Sequence, residues 1–328
     1  MALKRVELDL FIYDGIVETD KPSTPDYQIN KARIETHSKI TLEIGELIRD
    51  QFNITFNDDY ISHTKWVEAD VNYFDDADQP FTYSNPQKFQ YLALDGYGYF
   101  EEGTNPELQR HALISSDNIY LPEGTAGKLP IFAEGVGKVT IDSSDTQITD
   151  NGNTNQKIQY ITIPADSSTI QVYDTDDTTL LKTITVTNIC EPKFTNYKIT
   201  FVNKYGAFQD FYVFKKTSEN LNVTTDLFKR NIIANSTSTY QTYEGQRERY
   251  NVNGKTKLST NTGFIKENMN KTVEELFLSE NVWIRYENKT LPIIPVSQSL
   301  DFKTSLNDKL TNYNIEFEFA FDKINNIR

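Results

Sequence analysis

Hydrophobic and polar residues alternate along much of the chain, and a period of two residues predicts β-strands with one buried face. The alternation starts near the N-terminus, where Val6, Leu8 and Leu10 are separated by acidic residues. The last predicted strand has the clearest alternation in the chain, with apolar residues at every odd position: Tyr313, Ile315, Phe317, Phe319 and Phe321. We expect this strand to be essential to the folding of its domain, because burial of each of these side chains contributes roughly 1.5–3 kcal/mol.

Residues 197–214 predict a central β-hairpin. In the first arm, Ile199 and Phe201 alternate with polar residues, as in a strand with one buried face. Residues 211–214 are apolar without interruption, which is typical of a strand covered on both sides. Gly206 falls between the arms, where its freedom at positive φ lets the chain reverse. We therefore expect this hairpin to lie in a core.

Two dipeptides predict further tight turns. Asp95-Gly96 lies between two apolar arms, and Asn253-Gly254 fits a two-residue type I′ loop. We expect paired strands on both sides of each turn. The predicted strands outside the central hairpin and the last strand are 6–12, 28–34, 38–44, 58–81, 91–94, 97–101, 137–142, 159–164, 170–173, 180–187, 282–286, 293–296 and 300–303.

Helices are predicted in only a few places. A short helix is expected at 46–52, and 225–233 fits either a short helix or an irregular segment. Thr272 and Glu275 match a capping box, in which each side chain accepts a hydrogen bond from a backbone N–H group. A helix that continues to about residue 279 would follow.

The composition changes between 131 and 189, where aromatic residues become scarce and Thr, Ser and Asp dominate. We therefore predict an N-terminal β-rich domain at 1–130, a Ser/Thr-rich insertion at 131–190 and a C-terminal β-sandwich domain at 191–328. The predicted fold class is mainly β. It consists of β-sandwich domains with a small immunoglobulin-like or β-hairpin insertion and two or three short helices.

The composition restricts the partners. Phe (20) and Tyr (19) supply much of the apolar surface, whereas Met (2) is rare, and this favours β-structure. A net charge of −14 argues against nucleic-acid binding.

The first ten residues carry charges within their apolar run, so we expect neither a secretion signal nor a membrane span. We therefore expect the protein to be synthesised in a cytoplasm. Cys190 is expected to be a small, partly buried core residue near the end of a strand.

No residue pattern predicts catalysis, a cofactor or a metal ion. Asp95 and Glu101 could flank a sugar as glycosidase carboxylates do, but a hairpin turn beside a solvated edge is the favoured interpretation. The three histidines have no metal-ligand spacing. Neither of two acidic runs supplies both the glycine and the closing glutamate of a calcium loop, so solvated turns are favoured. The histidines are His37, His63 and His111. The acidic runs contain Asp75, Asp76 and Asp78 in the first and Asp174, Asp176 and Asp177 in the second.

The aromatic residues near Asp95 are the candidate functional residues. Tyr97, Tyr99 and Phe100 follow Tyr91 closely and could form a platform on which sugars stack. Aromatic residues on strands are more often core or interface residues, because a tyrosine can bury its ring and keep its hydroxyl group satisfied. An interface is therefore favoured over a lectin site for Tyr97, Tyr99 and Phe100.

Several stretches resemble tail-associated virion proteins of tailed phages and prophages of Bacteroidota. The likeness extends in order over nearly the whole chain. It is carried by Glu43-Ile-Gly-Glu-Leu-Ile-Arg-Asp50, Leu94-Asp-Gly-Tyr-Gly-Tyr-Phe-Glu-Glu-Gly103, Phe201-Val-Asn-Lys-Tyr-Gly-Ala-Phe208, Leu291-Pro-Ile-Ile-Pro-Val296, Thr304-Ser-Leu-Asn-Asp-Lys-Leu310 and Tyr313-Asn-Ile-Glu-Phe-Glu-Phe-Ala-Phe321.

The resemblance implies a non-enzymatic structural component of a phage tail, at the tail tip, distal tail or baseplate. It implies a homo-oligomer, such as a hexameric ring, that docks other phage tail proteins and is assembled into the virion in the host cytoplasm. The insertion at 131–189 departs from the simplest two-domain distal tail plan. The alternative is a carbohydrate- or receptor-binding module of a phage or bacterial surface structure, and a glycoside hydrolase is a more remote hypothesis.

Overall fold

The computed structural model describes residues 3–34, 37, 39–81, 86–106, 112–231, 242–243, 245–296 and 310–324. Within these residues there are twenty β-strands, two short α-helices and two 3₁₀ turns. The protein is therefore mainly β, of the β-sandwich class, as the alternating pattern predicts. The predicted number of short helices is also confirmed.

The strands are distributed over the whole described chain. They are β1 (Leu3–Tyr13), β2 (Tyr27–Ala32), β3 (Thr64–Asp75), β4 (Gln87–Leu94), β5 (Asn118–Pro122), β6 (Gly127–Phe132), β7 (Lys138–Ile141), β8 (Ser144–Gln147), β9 (Ile158–Ile163), β10 (Thr169–Tyr173), β11 (Leu180–Ile189), β12 (Tyr197–Val202), β13 (Phe208–Val213), β14 (Ser218–Lys229), β15 (Arg247–Asn261), β16 (Ile265–Lys266), β17 (Val282–Tyr286), β18 (Lys289–Pro295), β19 (Leu310–Thr311) and β20 (Asn314–Phe319). The helices are α1 (Gly45–Arg49) and α2 (Asn270–Leu278), and the 3₁₀ turns are Phe100–Glu102 and Glu267–Met269.

The chain forms two compact units, and each unit is built from three segments. The first unit contains Met1–Ile189, Thr200–Phe211 and Asn268–Asn281, and the second contains Cys190–Ile199, Tyr212–Glu267 and Val282–Arg328. The division into domains at 130 and 190 stays a prediction.

The first unit contains two larger sheets. One is antiparallel, with the order β2-β1-β3-β4. Its buried face includes Leu10 and Val67, and the partly buried Leu47 and Ile48 of α1 pack against the same core. The other sheet has the order β5-β11-β10-β7-β8, and β5 and β11 are parallel. The Ser/Thr-rich stretch forms a strand in each of the four places that its β-branched runs predict: Lys138–Ile141, Ile158–Ile163, Thr169–Tyr173 and Leu180–Ile189.

In the second unit, five strands are hydrogen bonded in the order β17-β18-β20-β15-β14. Ile315 and Phe317 of β20 are fully buried, which confirms the predicted inward face. Phe321 lies two residues beyond the end of β20 and is 51% exposed, so its predicted burial is wrong. The reason is that alternation specifies a face only as far as the strand extends. The predicted strand 300–303 lies outside the described residues.

The predicted central hairpin is confirmed by β12, β13 and the turn between them. Gly206 has a positive φ of 71°, as the reversal requires. The carbonyl oxygen of the Asn203 side chain accepts hydrogen bonds from the backbone N–H groups of Tyr205 (3.0 Å) and Ala207 (3.2 Å). Phe201 is fully buried, so the hairpin lies in a core.

The predicted hairpin at Asp95-Gly96 is wrong. Strand β4 pairs with β3, and 97–101 is not a strand. The backbone N–H of Tyr97 instead donates to the carbonyl oxygen of Lys204 (2.9 Å). A Cβ atom on Gly96 would lie only 2.6 Å from that oxygen, so a glycine is needed here for close approach of two backbone segments.

The predicted turn at Asn253-Gly254 is also wrong, because β15 continues through both residues. A Cβ atom on Gly254 would lie 3.0 Å from a methyl group of Leu221 on the paired strand, so the glycine leaves room for a cross-strand side chain. The segment 225–233 is neither helical nor irregular up to residue 229, since β14 ends at Lys229. The run Val223-Thr-Thr225 is β-branched, which favours this strand.

Three smaller predictions need correction. Residues 39–44 have no regular structure, although a strand was predicted from 38 to 44. Helix α2 is confirmed, but its N-cap is Met269, and the hydroxyl group of Thr272 is buried in the helix without a hydrogen-bond partner. The Thr-x-x-Glu pattern lies one turn inside the helix, so no capping box forms. Cys190 follows the end of β11 as predicted, but it is exposed because it starts a loop.

Candidate functional site

A cleft of about 680 Å³ lies in the first unit. Four pieces of chain form its walls: helix α1 with the residues that follow it, the end of β4 with the loop after it, the last residue of β12, and the end of α2 with the residues after it. We refer to it as the α1 cleft, and it is lined by Gly45, Glu46, Ile48, Arg49, Phe52, Ala93, Leu94, Asp95, Gly96, Tyr97, Gly98, Tyr99, Val202, Leu278, Ser279, Glu280 and Asn281. Apolar side chains and a few polar groups therefore converge on one concave surface, which is typical of ligand sites.

The charged groups of the α1 cleft are unequally paired. The guanidinium group of Arg49 lies 2.6 Å from the carboxylate of Glu280 but 3.9 Å from that of Asp95. Burial raises the pKa of Asp95, since the distant Arg49 offsets only part of the cost of removing the carboxylate from water. Glu280 raises the pKa of Arg49 through their hydrogen bond. The cleft therefore holds one well-paired ion pair and one poorly satisfied carboxylate.

The structure separates the three candidate aromatic residues. Tyr97 and Tyr99 line the α1 cleft, and their rings meet edge to face with centroids 5.9 Å apart. The hydroxyl group of Tyr97 is buried, and burial raises the pKa of both tyrosines. Phe100, at the start of a 3₁₀ turn, is fully exposed and does not line the cleft.

The two candidate glycosidase carboxylates have different surroundings. Asp95 lines the α1 cleft, whereas Glu101 is exposed on the 3₁₀ turn and is absent from the cleft lining. The sequence predicts Asp95 in the turn and Glu101 at the end of the second arm of one hairpin, and that hairpin does not exist. The cleft instead brings Asp95 together with Arg49, Glu280 and Asn281, which no short motif connects.

Most carboxylates of the two acidic runs accept hydrogen bonds from their own turns or pair with nearby cationic side chains. Asp75 accepts hydrogen bonds from two backbone N–H groups of its own turn, and Asp78 pairs with Lys4 (2.6 Å) and Arg5 (3.0 Å). Asp176 accepts hydrogen bonds from the hydroxyl group and the backbone N–H group of Thr179, and these bonds hold its pKa well below the usual value. In the described part of the chain, no three His, Cys, Asp or Glu side chains are grouped to hold a metal ion.

The histidines provide no site chemistry in the described residues. His63 is partly buried, and its ring meets that of Phe208 edge to face, with centroids 5.2 Å apart. Burial lowers its pKa. His111 lies outside the described residues.

A second feature, in the second unit, is a two-stranded ribbon formed by residues 221–229 of β14 and 247–254 of β15. The strand β20 pairs only with residues 257–261 of β15, so in the described chain β14 is the only strand partner of β15 along the ribbon. Every residue of β14 is exposed. Sequence analysis missed the ribbon because the Asn-Gly pair was interpreted as a turn, although Leu221, Val223, Tyr250 and Val252 alternate with polar residues.

The ribbon exposes apolar side chains on both of its faces. Adjacent residues of a strand point to opposite faces, so Leu227 (54% exposed) and Phe228 (44% exposed) lie on different sides. Phe228 meets Tyr250 with ring centroids 5.7 Å apart. Isolated two-stranded ribbons are only marginally stable in water, and contiguous exposed apolar surface marks interaction sites. The ribbon is therefore the candidate interaction surface of the second unit.

No protein-family model and no curated protein matches this chain. Among the described residues, no helix is both long enough and apolar enough to cross a membrane.

Proposed function

We propose that the chain is a structural subunit of a bacteriophage tail, at the tail tip, distal tail or baseplate. It acts by self-assembly into a homo-oligomeric ring and by docking other tail proteins, and it has no catalytic role. It is assembled in the host cytoplasm and becomes part of the virion. The stretches that resemble tail-associated virion proteins and the mainly β fold both support this proposal.

The observation that carries the proposal is the ribbon. Its apolar side chains are exposed on both faces, so burial against one surface would leave the other face in water. A subunit within a ring has two neighbours and presents two different surfaces to them. A ribbon with two apolar faces suits such a position, because both faces can be covered at once. The partner that covers each face of the ribbon is another copy of this chain.

The charge distribution supports the same partner. Lys229, Arg247 and Arg249 give the ribbon three positive charges against two negative charges from Asp226 and Glu248, a net of +1. The whole chain carries −14, so the rest of the chain carries −15. A slightly basic ribbon would be attracted to the acidic surface of a neighbouring copy, which favours the correct encounter.

The native mass of the purified protein tests the proposal directly. Mass photometry and light scattering should detect a defined oligomer, and negative-stain images of the same sample should contain closed rings. The double variant Leu227→Ser with Phe228→Ser should dissociate the oligomer into folded monomers, because it removes an apolar side chain from each face of the ribbon.

Leu180→Ser is the matched control. Leu180 is 47% exposed but lies on β11 in the first unit, so its replacement should leave the oligomer intact. Circular dichroism would verify that all three proteins are folded. A wild-type protein that stays monomeric up to about 100 μM, a concentration that saturates any micromolar contact, would contradict the proposal.

A further inference from the structure

We propose that the α1 cleft is a binding site for a neutral oligosaccharide. The inference goes beyond assembly, because it assigns a ligand to a surface of the first unit that the ribbon does not include. It depends on the unsatisfied polar groups of the cleft, on its charge and on its aromatic rings. Each of these limits the chemistry of the ligand.

The cleft contains polar groups that lack partners. Within the described residues, no hydrogen bond reaches the carboxylate of Asp95, whose nearest cationic nitrogen is 3.9 Å away. The side-chain amide of Asn281 also has no hydrogen-bond partner among those residues. The Asp95 side chain is 19% exposed and has no protein donor, so water solvates its carboxylate in the cleft, and a ligand hydroxyl group that donates to it can take the place of that water. The carboxylate requires donors, and the amide offers both a donor and an acceptor.

A hydroxyl group satisfies these requirements together, because it donates one hydrogen bond and accepts others. A cationic ligand could donate to Asp95 but could accept nothing from Asn281 or from the half-exposed guanidinium group of Arg49. An anionic ligand is disfavoured because Glu46, Asp95 and Glu280 oppose the single cation Arg49, a net charge of −2 in the lining. A neutral ligand rich in hydroxyl groups fits best.

The remaining walls suit a sugar ring. Phe52, Tyr97 and Tyr99 line the cleft and offer aromatic surface to the apolar C–H faces of a pyranose. A cleft of about 680 Å³ falls within the range that accepts drug-sized ligands, and such a ligand corresponds to a short oligosaccharide rather than a monosaccharide.

A glycan array that contains neutral and sialylated oligosaccharides tests the inference on the intact protein. We expect binding to neutral members and none to their sialylated counterparts. Titration calorimetry with the best-bound neutral oligosaccharide should then give a Kd of about 1 mM or tighter, as expected for a shallow sugar site. Asp95→Asn retains the shape of the side chain but replaces an acceptor oxygen by a donor, so it should weaken binding at least about tenfold.

Glu101→Gln is the matched control, since it makes the same chemical change on the nearby 3₁₀ turn outside the cleft, and it should bind as the wild type does. Thermal unfolding of each variant would verify that the fold is retained. The inference is overturned if no neutral glycan binds, if sialylated glycans bind equally well, or if folded Asp95→Asn retains wild-type affinity. The native mass is a separate readout, so a negative result here leaves the assembly proposal intact.

Discussion

Glu68 on β3 is a charged residue that is almost completely buried in the first unit. Its carboxylate accepts a hydrogen bond from the hydroxyl group of Tyr13 and lies 3.1 Å from the ammonium group of Lys21. Burial by itself raises the pKa of Glu68, but the hydrogen bonds from Tyr13 and Lys21 outweigh it and hold the pKa below the ordinary 4.5. The ionised carboxylate is therefore more stable in the folded protein than in the unfolded chain.

This difference predicts a pH dependence of stability. Because the folded-state pKa is lowered, Glu68 contributes its full stabilisation above pH 4.5 and loses it as the pH falls through the lower folded-state value. Glu68→Gln should reduce the free energy of unfolding at pH 7 and should make that free energy fall less steeply below pH 4.5. Urea unfolding at a series of pH values measures both effects.

Glu123→Gln provides the comparison, because Glu123 is exposed in the turn between β5 and β6. Its urea midpoints should follow those of the wild type at every pH. Identical acid profiles for the Glu68→Gln variant and the wild type would show that the buried carboxylate contributes nothing to acid sensitivity.

Single residues also mark the limit of what the sequence predicts about the site. The patterns identified Tyr97, Tyr99 and Asp95 as candidates, and these three do line the α1 cleft. They gave no indication of Arg49 or Glu280, because those residues meet Asp95 only through the tertiary fold. Local periodicity contains no information on such distant contacts.

At the scale of elements, strand β20 allows a sharp comparison between two phenylalanines. Phe317 is fully buried, whereas Phe321 is 51% exposed beyond the end of the strand. Phe317→Ala should lower the free energy of unfolding by roughly 3–5 kcal/mol, because it removes buried surface and leaves a cavity. Phe321→Ala should cost less than about 1 kcal/mol. Chemical denaturation of the two variants measures the difference, and equal losses would contradict the assigned end of the inward face.

The strands show why some elements were predictable and others were not. Strands β1, β10, β12 and β20 follow from alternation or β-branched runs, since burial of one face forces a period of two. Two predicted turns failed, because a glycine after Asp or Asn has more than one use. Gly96 permits close approach of another backbone segment and Gly254 makes room for a cross-strand leucine, and neither purpose can be distinguished from a turn without the partner strand.

At the scale of the whole molecule, the net charge of −14 should oppose assembly. Copies of the chain repel one another over about a Debye length, which is about 14 Å at 50 mM salt and about 4 Å at 500 mM. Salt also screens the attraction between the ribbon, with its net charge of +1, and an acidic neighbour, but this attraction is smaller than the repulsion between two chains of net charge −14, and the apolar contacts are not weakened. Raising the salt concentration over this range should therefore tighten self-association, and sedimentation equilibrium at the two concentrations measures it. Weaker association at high salt would indicate that attraction between opposite charges dominates the interface.

The two units also differ from independent domains because neither is formed by one continuous stretch of the chain. The first unit needs residues up to Asn281, and the second needs residues both before and after that point. A ribosome emits the chain from the N-terminus, so neither unit can complete its core until most of the polypeptide has been synthesised. The incomplete sheets of a nascent chain would therefore stay exposed during most of its synthesis, and chaperones could bind them throughout that period. For the same reason, no contiguous fragment that omits the segments after residue 189 contains a complete unit.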